Sequence, residues 1–129
     1  MILLDTHILI WWVNNDIRLK QDYRQILEIE KEPAISIITC WEIAKLVENK
    51  RLQLNIPLSD WLEKALDFHN IIALPLDLNI IVDSTTLPGN FHKDPADQMI
   101  VSTSRIIDIE LMTEDEKILS YPHVKLIRL

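Results

Sequence analysis

Three consecutive apolar residues, Ile2-Leu3-Leu4, stop abruptly at Asp5. A strand without polar alternation is buried on both faces, which requires a sheet covered by helices on each side. The remaining chain repeats the pattern. Further short strands are expected at Ala34 to Ile38, Ile71 to Leu76, Ile109 to Met112 and Val124 to Ile127. Helical periodicity fills the intervals: His7 to Val13, Leu19 to Lys31, Thr39 to about Lys50, Leu58 to His69, Leu78 to Leu87, Pro95 to Ile107, and a short turn at Asp115 to Leu119. Punctuation agrees with these limits. Pro33 closes the second helix, Pro88-Gly89 the fifth, and Pro95 suits the first position of the sixth. Strand–helix alternation of this kind predicts a three-layer α/β fold, with a central mostly parallel sheet of four to five strands and right-handed crossovers.

The chain of 129 residues contains no repeat, linker or low-complexity stretch, so residues 1–129 are read as one domain. A single cysteine, Cys40, excludes an intrachain disulfide and suits a reducing, cytoplasmic setting. The apolar run Met1 to Val13 is interrupted by Asp5 and His7, lacks a basic leader and is too short to span a bilayer, so no membrane role is expected. A net charge of −7 argues against a basic nucleic-acid face. That argument weakens if much of the charge is a cluster built to hold cations.

Four acids are placed for such a cluster. Asp5 and Asp115 follow strands, Glu42 falls in the first turn after another, and Asp97 opens a helix. In an open parallel sheet all four reach the rim outside the carboxyl ends of the strands, where ligands bind. Carboxylates gathered there repel unless a cation lies among them, and hard oxygen donors suit Mg²⁺ or Mn²⁺. Asp94 and Asp97, three residues apart, are close enough to share an ion. Each acid has a plainer use as a helix cap or dipole partner, and Thr39 with Glu42 fits a capping box. What distinguishes the set is its arrival at one rim.

Other residues divide less clearly. His7 and His92 have the chemistry of ligands or proton shuttles but read first as loop or core histidines. Lys45 is placed to pair with Glu42, and Lys45, Lys93 and Arg105 are candidates to position a phosphodiester. Trp11, Trp12, Trp41 and Trp61 read as core aromatics. Adjacent Trp11 and Trp12 cannot share one face, however, so one of them is expected at an interface, and the all-round apolar helix His7 to Val13 points to a homodimer. There is no phosphate-cradling glycine loop, zinc spacing, or serine or cysteine nucleophile with a base.

Leu4-Asp5-Thr6-His7, Thr39-Cys-Trp-Glu42-Ile, His92-Lys-Asp-Pro-Ala-Asp97-Gln-Met-Ile and Leu111-Met-Thr-Glu-Asp115, in this order, resemble the motifs of PIN-domain ribonucleases. Order, spacing and length are most similar to the VapC-type toxins of toxin–antitoxin pairs. The resemblance implies acidic metal ligands at Asp5, Glu42, Asp97 and Asp115, with Asp94 auxiliary, and hydroxyls at Thr6 and Thr113 that orient those acids. It also implies an RNA substrate and a small cognate antitoxin. Gln98 departs from a common arginine, and Asn49 and Ile107-Asp108 from a common glycine.

The reaction expected is hydrolysis of an RNA phosphodiester, with Mg²⁺ or Mn²⁺ held by the carboxylates and Asp5 as the central ligand. Rival classes are a non-catalytic PIN scaffold for protein binding and a phospho-acceptor receiver using Asp77, Thr113 and Lys125. A receiver needs two adjacent acids after its first strand, where Thr6 follows Asp5; a phosphatase of the Asp-x-Asp type meets His7 at the second acid's place.

Overall fold

The computed structural model describes residues Met1–Leu129. β1 (Ile2–Leu4) runs through the middle of a sheet, with β2 (Pro33–Ser36) on one side and β4 (Glu110–Met112) on the other. β3 (Ile72–Leu74) lies outside β2, giving the order β3-β2-β1-β4 with every pairing parallel. The register sets Leu3 between Ala34 and Leu111. The connections are α1 (Thr6–Val13) and α2 (Gln21–Ile29) after β1, α3 (Ile37–Glu48) and α4 (Leu58–Phe68) after β2, and α5 (Leu78–Ser84) and α6 (Pro95–Ile107) after β3. The short α7 (Glu116–Leu119) follows β4.

Successive strand residues point to opposite faces, and β1 divides accordingly. Ile2 and Leu4 join a core of 16 buried residues that includes Ile8, Leu9, Trp12, Leu27, Ile43, Trp61 and Met112. Leu3 points the other way, into a cluster of 7 with Ile100, Val101, Leu111, Ile118, Tyr121 and Leu126. Leu3 and Leu4 are both fully buried, which explains a strand with no polar residue. Truncating either to alanine removes a side chain the sheet cannot collapse around, a loss of about 2–5 kcal/mol.

Several boundaries differ from the expected ones: α2 is two residues shorter at each end, β3 covers only Ile72–Leu74, and three other differences bear on the site or the sheet. β2 ends at Ser36, not Ile38, because the Ser36 hydroxyl accepts from the Ile38 N–H at 3.2 Å and caps α3. The Thr39–Glu42 capping box therefore does not form: Thr39 lies inside the first turn and Glu42 in the second. α5 ends at Ser84, short of Leu87. The fifth strand shrinks to one parallel bridge, Leu111 with Leu126, held by Leu111 N–H to Lys125 O and Ile127 N–H to Leu111 O, both 2.9 Å. Of the adjacent tryptophans, Trp12 is buried against His69, their rings stacked at 3.8 Å, while half-buried Trp11 turns outward beneath Arg18. No helix is long and apolar enough to cross a membrane.

Candidate metal centre

The strand order reverses at β1. The chain moves outward from β1 to β2 and β3, then returns to place β4 on the other side. Such a switch point opens a crevice beyond the strand ends. Here two residues straddle it. Asp5, immediately after β1, accepts from its neighbour's backbone, Thr6 N–H to Oδ1 at 2.8 Å, and from Thr113 beyond β4, Oγ1 to Oδ2 at 2.6 Å. Thr113 Oγ1 in turn accepts the Asp115 N–H at 3.0 Å, tying the β4–α7 turn to the same carboxylate.

A second hydroxyl chain reaches Glu42. Thr6 Oγ1 donates to Glu42 Oε1, and Thr39 Oγ1 lies 3.1 Å from Thr6 Oγ1. With the Thr6 proton committed to Glu42, Thr39 is the donor to Thr6. Thr39 thus serves Glu42 through Thr6, one helical turn away from the capping position. At the start of α6, Asp94 caps the helix by accepting the Asp97 N–H at 2.9 Å, and Asp97 Oδ2 lies 2.6 Å from His92 Nε2. Gln98, where an arginine was the familiar residue, donates to the His92 carbonyl at 3.1 Å and steadies that loop.

These elements converge on a pocket of about 290 Å³ lined by Asp5, His7, Glu42, His92, Asp94, Asp97, Asp115 and Lys117, without one apolar side chain. Glu42, Asp94 and Asp97 each offer an oxygen within 4.8 Å of the others. Burial pushes the Glu42 carboxyl up to about 7, the charges of Asp5, Asp97 and Asp94 add to the rise, and the Thr6 hydroxyl opposes it. Burial likewise pushes Asp97 up to about 6; its hydrogen bond with His92 opposes the rise, and Asp5, Asp94 and Asp115 reinforce it. Asp5 rises for the same leading reason, burial, against the bonds from Thr113 and Thr6. Every anionic donor in the pocket is a hard carboxylate oxygen, and the carboxylates disfavour one another's ionisation. A divalent cation of the Mg²⁺ or Mn²⁺ type fits that donor set.

The five acids singled out from the sequence therefore line one pocket. The candidate substrate residues do not. Lys45 pairs with Glu48 at 2.9 Å rather than with Glu42, and stands just outside the pocket. Lys93 is exposed and does not line it. Arg105 lies two turns along α6 from Asp97, about 12 Å at 1.5 Å per residue; there it grips Asp83 at 3.0 Å and the His123 carbonyl at 2.7 Å. His7 and His92, read as loop or core residues, line the pocket, as does Lys117, which no motif marked. The only signal for Lys117 was its position two residues beyond Asp115. Trp41, read as core, is half exposed. The receiver alternative loses its residues as well: Asp77 caps α5 through the Ile80 N–H, and Lys125 pairs with Asp108.

Sheet order and acid pocket together define a class of protein. The model of the PIN domain family matches residues 2–124, and the chain belongs to that family. Ribonuclease VapC22 of Mycobacterium tuberculosis is 31% identical over 122 residues, spanning 95% of this chain and 92% of its own. Solved structures share the fold at lower identity. A toxin–antitoxin complex from Klebsiella pneumoniae superposes with a TM-score of 0.71 at 21% identity, covering 99% of this chain and 97% of that one. FitAcB from Neisseria gonorrhoeae gives 0.69 at 20% identity, with 99% and 97% covered. DNA-bound VapBC from Salmonella typhimurium gives 0.71 at 17%, with 98% and 96% covered.

Proposed function

We propose that this chain is a divalent-metal-dependent endoribonuclease and the toxin of a toxin–antitoxin pair. The observation that carries the reading is the wholly polar pocket of five carboxylates at the sheet's switch point, in a member of the PIN family. The similarity to a ribonuclease VapC supplies the substrate class.

Asp5, Glu42, Asp97 and Asp115 are the residues that would hold Mg²⁺ or Mn²⁺, with Asp94 at the outer edge. A bound ion supplies Lewis-acid polarisation of the scissile phosphate and lowers the pKa of a water, the attacking group. The chain's own part is orientation. Thr113 and the Thr6 N–H hold both oxygens of Asp5, while the Thr6 and Thr39 hydroxyls turn Glu42 inward. Lys117 is the pocket's one lysine and is placed to meet a phosphate oxygen. The small antitoxin, a homodimeric state and cytoplasmic residence belong to the same reading.

The test is cleavage of RNA by purified protein in Mg²⁺, in Mn²⁺ and in excess chelator, beside Asp5→Asn. Cleavage confined to the metal-loaded wild type supports the proposal. Equal cleavage in chelator, or by Asp5→Asn, overturns it.

A further inference from the structure

α3 presents Thr39 and Ile43 to the interior and turns Trp41 out, with 49% of its surface exposed. Single exposed apolar residues are ordinary, but the surroundings of this one are not. Trp41 lines a groove of about 380 Å³ that shares Glu42 and Asp94 with the acid pocket, so the two cavities adjoin. Lys45 holds its ammonium 5.9 Å from the Trp41 ring centroid. Arg51 lines the same groove and has neither an ion-pair partner nor a side-chain hydrogen bond. Glu48 engages Lys45, but that pair is exposed on both sides, and such a pair exchanges for a phosphate at little cost.

An exposed indole face flanked by two cations, opening directly onto a phosphodiester-cleaving pocket, matches the recognition chemistry of single-stranded nucleic acid. Any base can stack on an aromatic ring, and its phosphates meet the nearby cations. A base inside a duplex has both faces covered by its neighbours and cannot make this contact. We propose that Trp41, with Lys45 and Arg51, is a stacking subsite for an unpaired nucleotide flanking the scissile phosphate. This rests on the ribonuclease reading above and adds to it a positioning residue outside the acid pocket. Trp41 acts by positioning; the chemistry stays with the carboxylates one residue away.

The experiment measures binding of a single-stranded RNA octamer, and of the blunt duplex of the same sequence, to protein in an Asp5→Asn background that holds RNA uncut. Cleavage of a hairpin RNA by otherwise wild-type protein is followed in parallel. Trp41→Ala is expected to weaken octamer binding by about tenfold or more and to raise the KM for cleavage in proportion, with kcat nearly unchanged. Trp41→Phe, which keeps a ring, restores most of the affinity. Duplex binding is the same with and without Trp41. Lys45→Ala and Arg51→Ala, which leave the helix intact, are each expected to reduce the salt dependence of octamer binding by roughly one phosphate contact. If wild type cleaves RNA in Mg²⁺ while Trp41→Ala binds and cleaves as well as wild type, the subsite is wrong and the nuclease reading stands. Octamer binding that keeps full affinity in Trp41→Ala, together with loss of self-association in sedimentation, assigns the face to a second copy of the chain and overturns the proposal. Absence of cleavage by wild type under every metal condition removes the nuclease reading itself, a result the Trp41 variants cannot mimic.

Discussion

Asp97 and Asp83 are carboxylates on the adjoining helices α6 and α5, with side chains 14% and 16% exposed. Burial is the same; company is not. Asp83 faces the Arg105 guanidinium, which reaches both its oxygens at 3.0 and 3.4 Å. Asp97 faces Asp5, Asp94 and Asp115 with only His92 in relief, and is pushed up to about 6. A buried carboxylate with its own cation belongs to the architecture. One buried among other carboxylates holds free energy that a bound cation, or protonation, releases.

The sharpest way to break this comparison is catalytic. Asp97→Asn is expected to lower RNA cleavage by more than about a hundredfold, since even the outer partners of a metal ligand are typically worth ~10–100-fold; Asp83→Asn leaves kcat/KM unchanged. Equal losses in the two variants would erase the distinction. Next in size, Thr113→Val removes the hydroxyl that orients Asp5 and is expected to reduce cleavage by about 10–100-fold while the fold survives, as circular dichroism would report. The third contrast is stability of the metal-free protein. Asp83→Ala strands Arg105 and costs roughly 1–2 kcal/mol for a partly exposed pair, read by urea denaturation. Asp97→Asn shifts stability the other way and raises the melting temperature by a few degrees.

The smallest effect is the pH profile. Glu42 and Asp97 bind protons more tightly in the folded chain, at about 7 and about 6, than at their ordinary values of 4.5 and 3.8. Between those limits the folded state carries more protons, so the metal-free protein should lose stability as pH rises from about 4 to about 7. Their contribution is fully present below the ordinary values and gone above the raised ones. Mg²⁺ or Mn²⁺ should offset the loss, raising the melting temperature more at pH 8 than at pH 5, because it binds only the folded, deprotonated site. A metal-induced shift that is independent of pH would contradict the coupling.

The alternation of short apolar strands with helices was legible from the chain, because strands buried on both faces leave no room for polar residues. The acids were legible as a group for a related reason: Asp5, Asp97 and Asp115 stand just past a strand or at a helix start, Glu42 follows one turn into α3, and a parallel sheet collects those positions on one rim. What escaped depended on tertiary context. Ile35-Ser36-Ile37-Ile38 is an isoleucine-rich run in which strand and helix patterns do not separate, and only the Ser36 cap ends the strand. That displaced boundary hid the role of Thr39. With α3 begun two residues earlier, the same periodicity that buries Thr39 and Ile43 turns Trp41 outward. The C-terminal segment Val124 to Ile127 has the composition of a strand, but its ladder closes only at Leu126. Lys117 carried no pattern, since a lone basic residue near an acid has many uses, and the two pocket histidines stood inside recognisable motifs without a role that spacing alone could assign.

Asp5 and Thr113 are separated by 108 positions yet share a hydrogen bond at the heart of the pocket. During synthesis, then, the earliest acid waits unpaired until almost the whole polypeptide has left the ribosome. A strand at the centre of a sheet cannot complete its pairing before both neighbours exist, and β4 is the later of the two. A nascent chain that stops before Thr113, or one shortened at that end by a protease, retains Asp5, Glu42 and Asp97 but has neither the hydroxyl that aims Asp5 nor the turn that delivers Asp115. The pocket is therefore among the last parts of the molecule that the growing chain can complete.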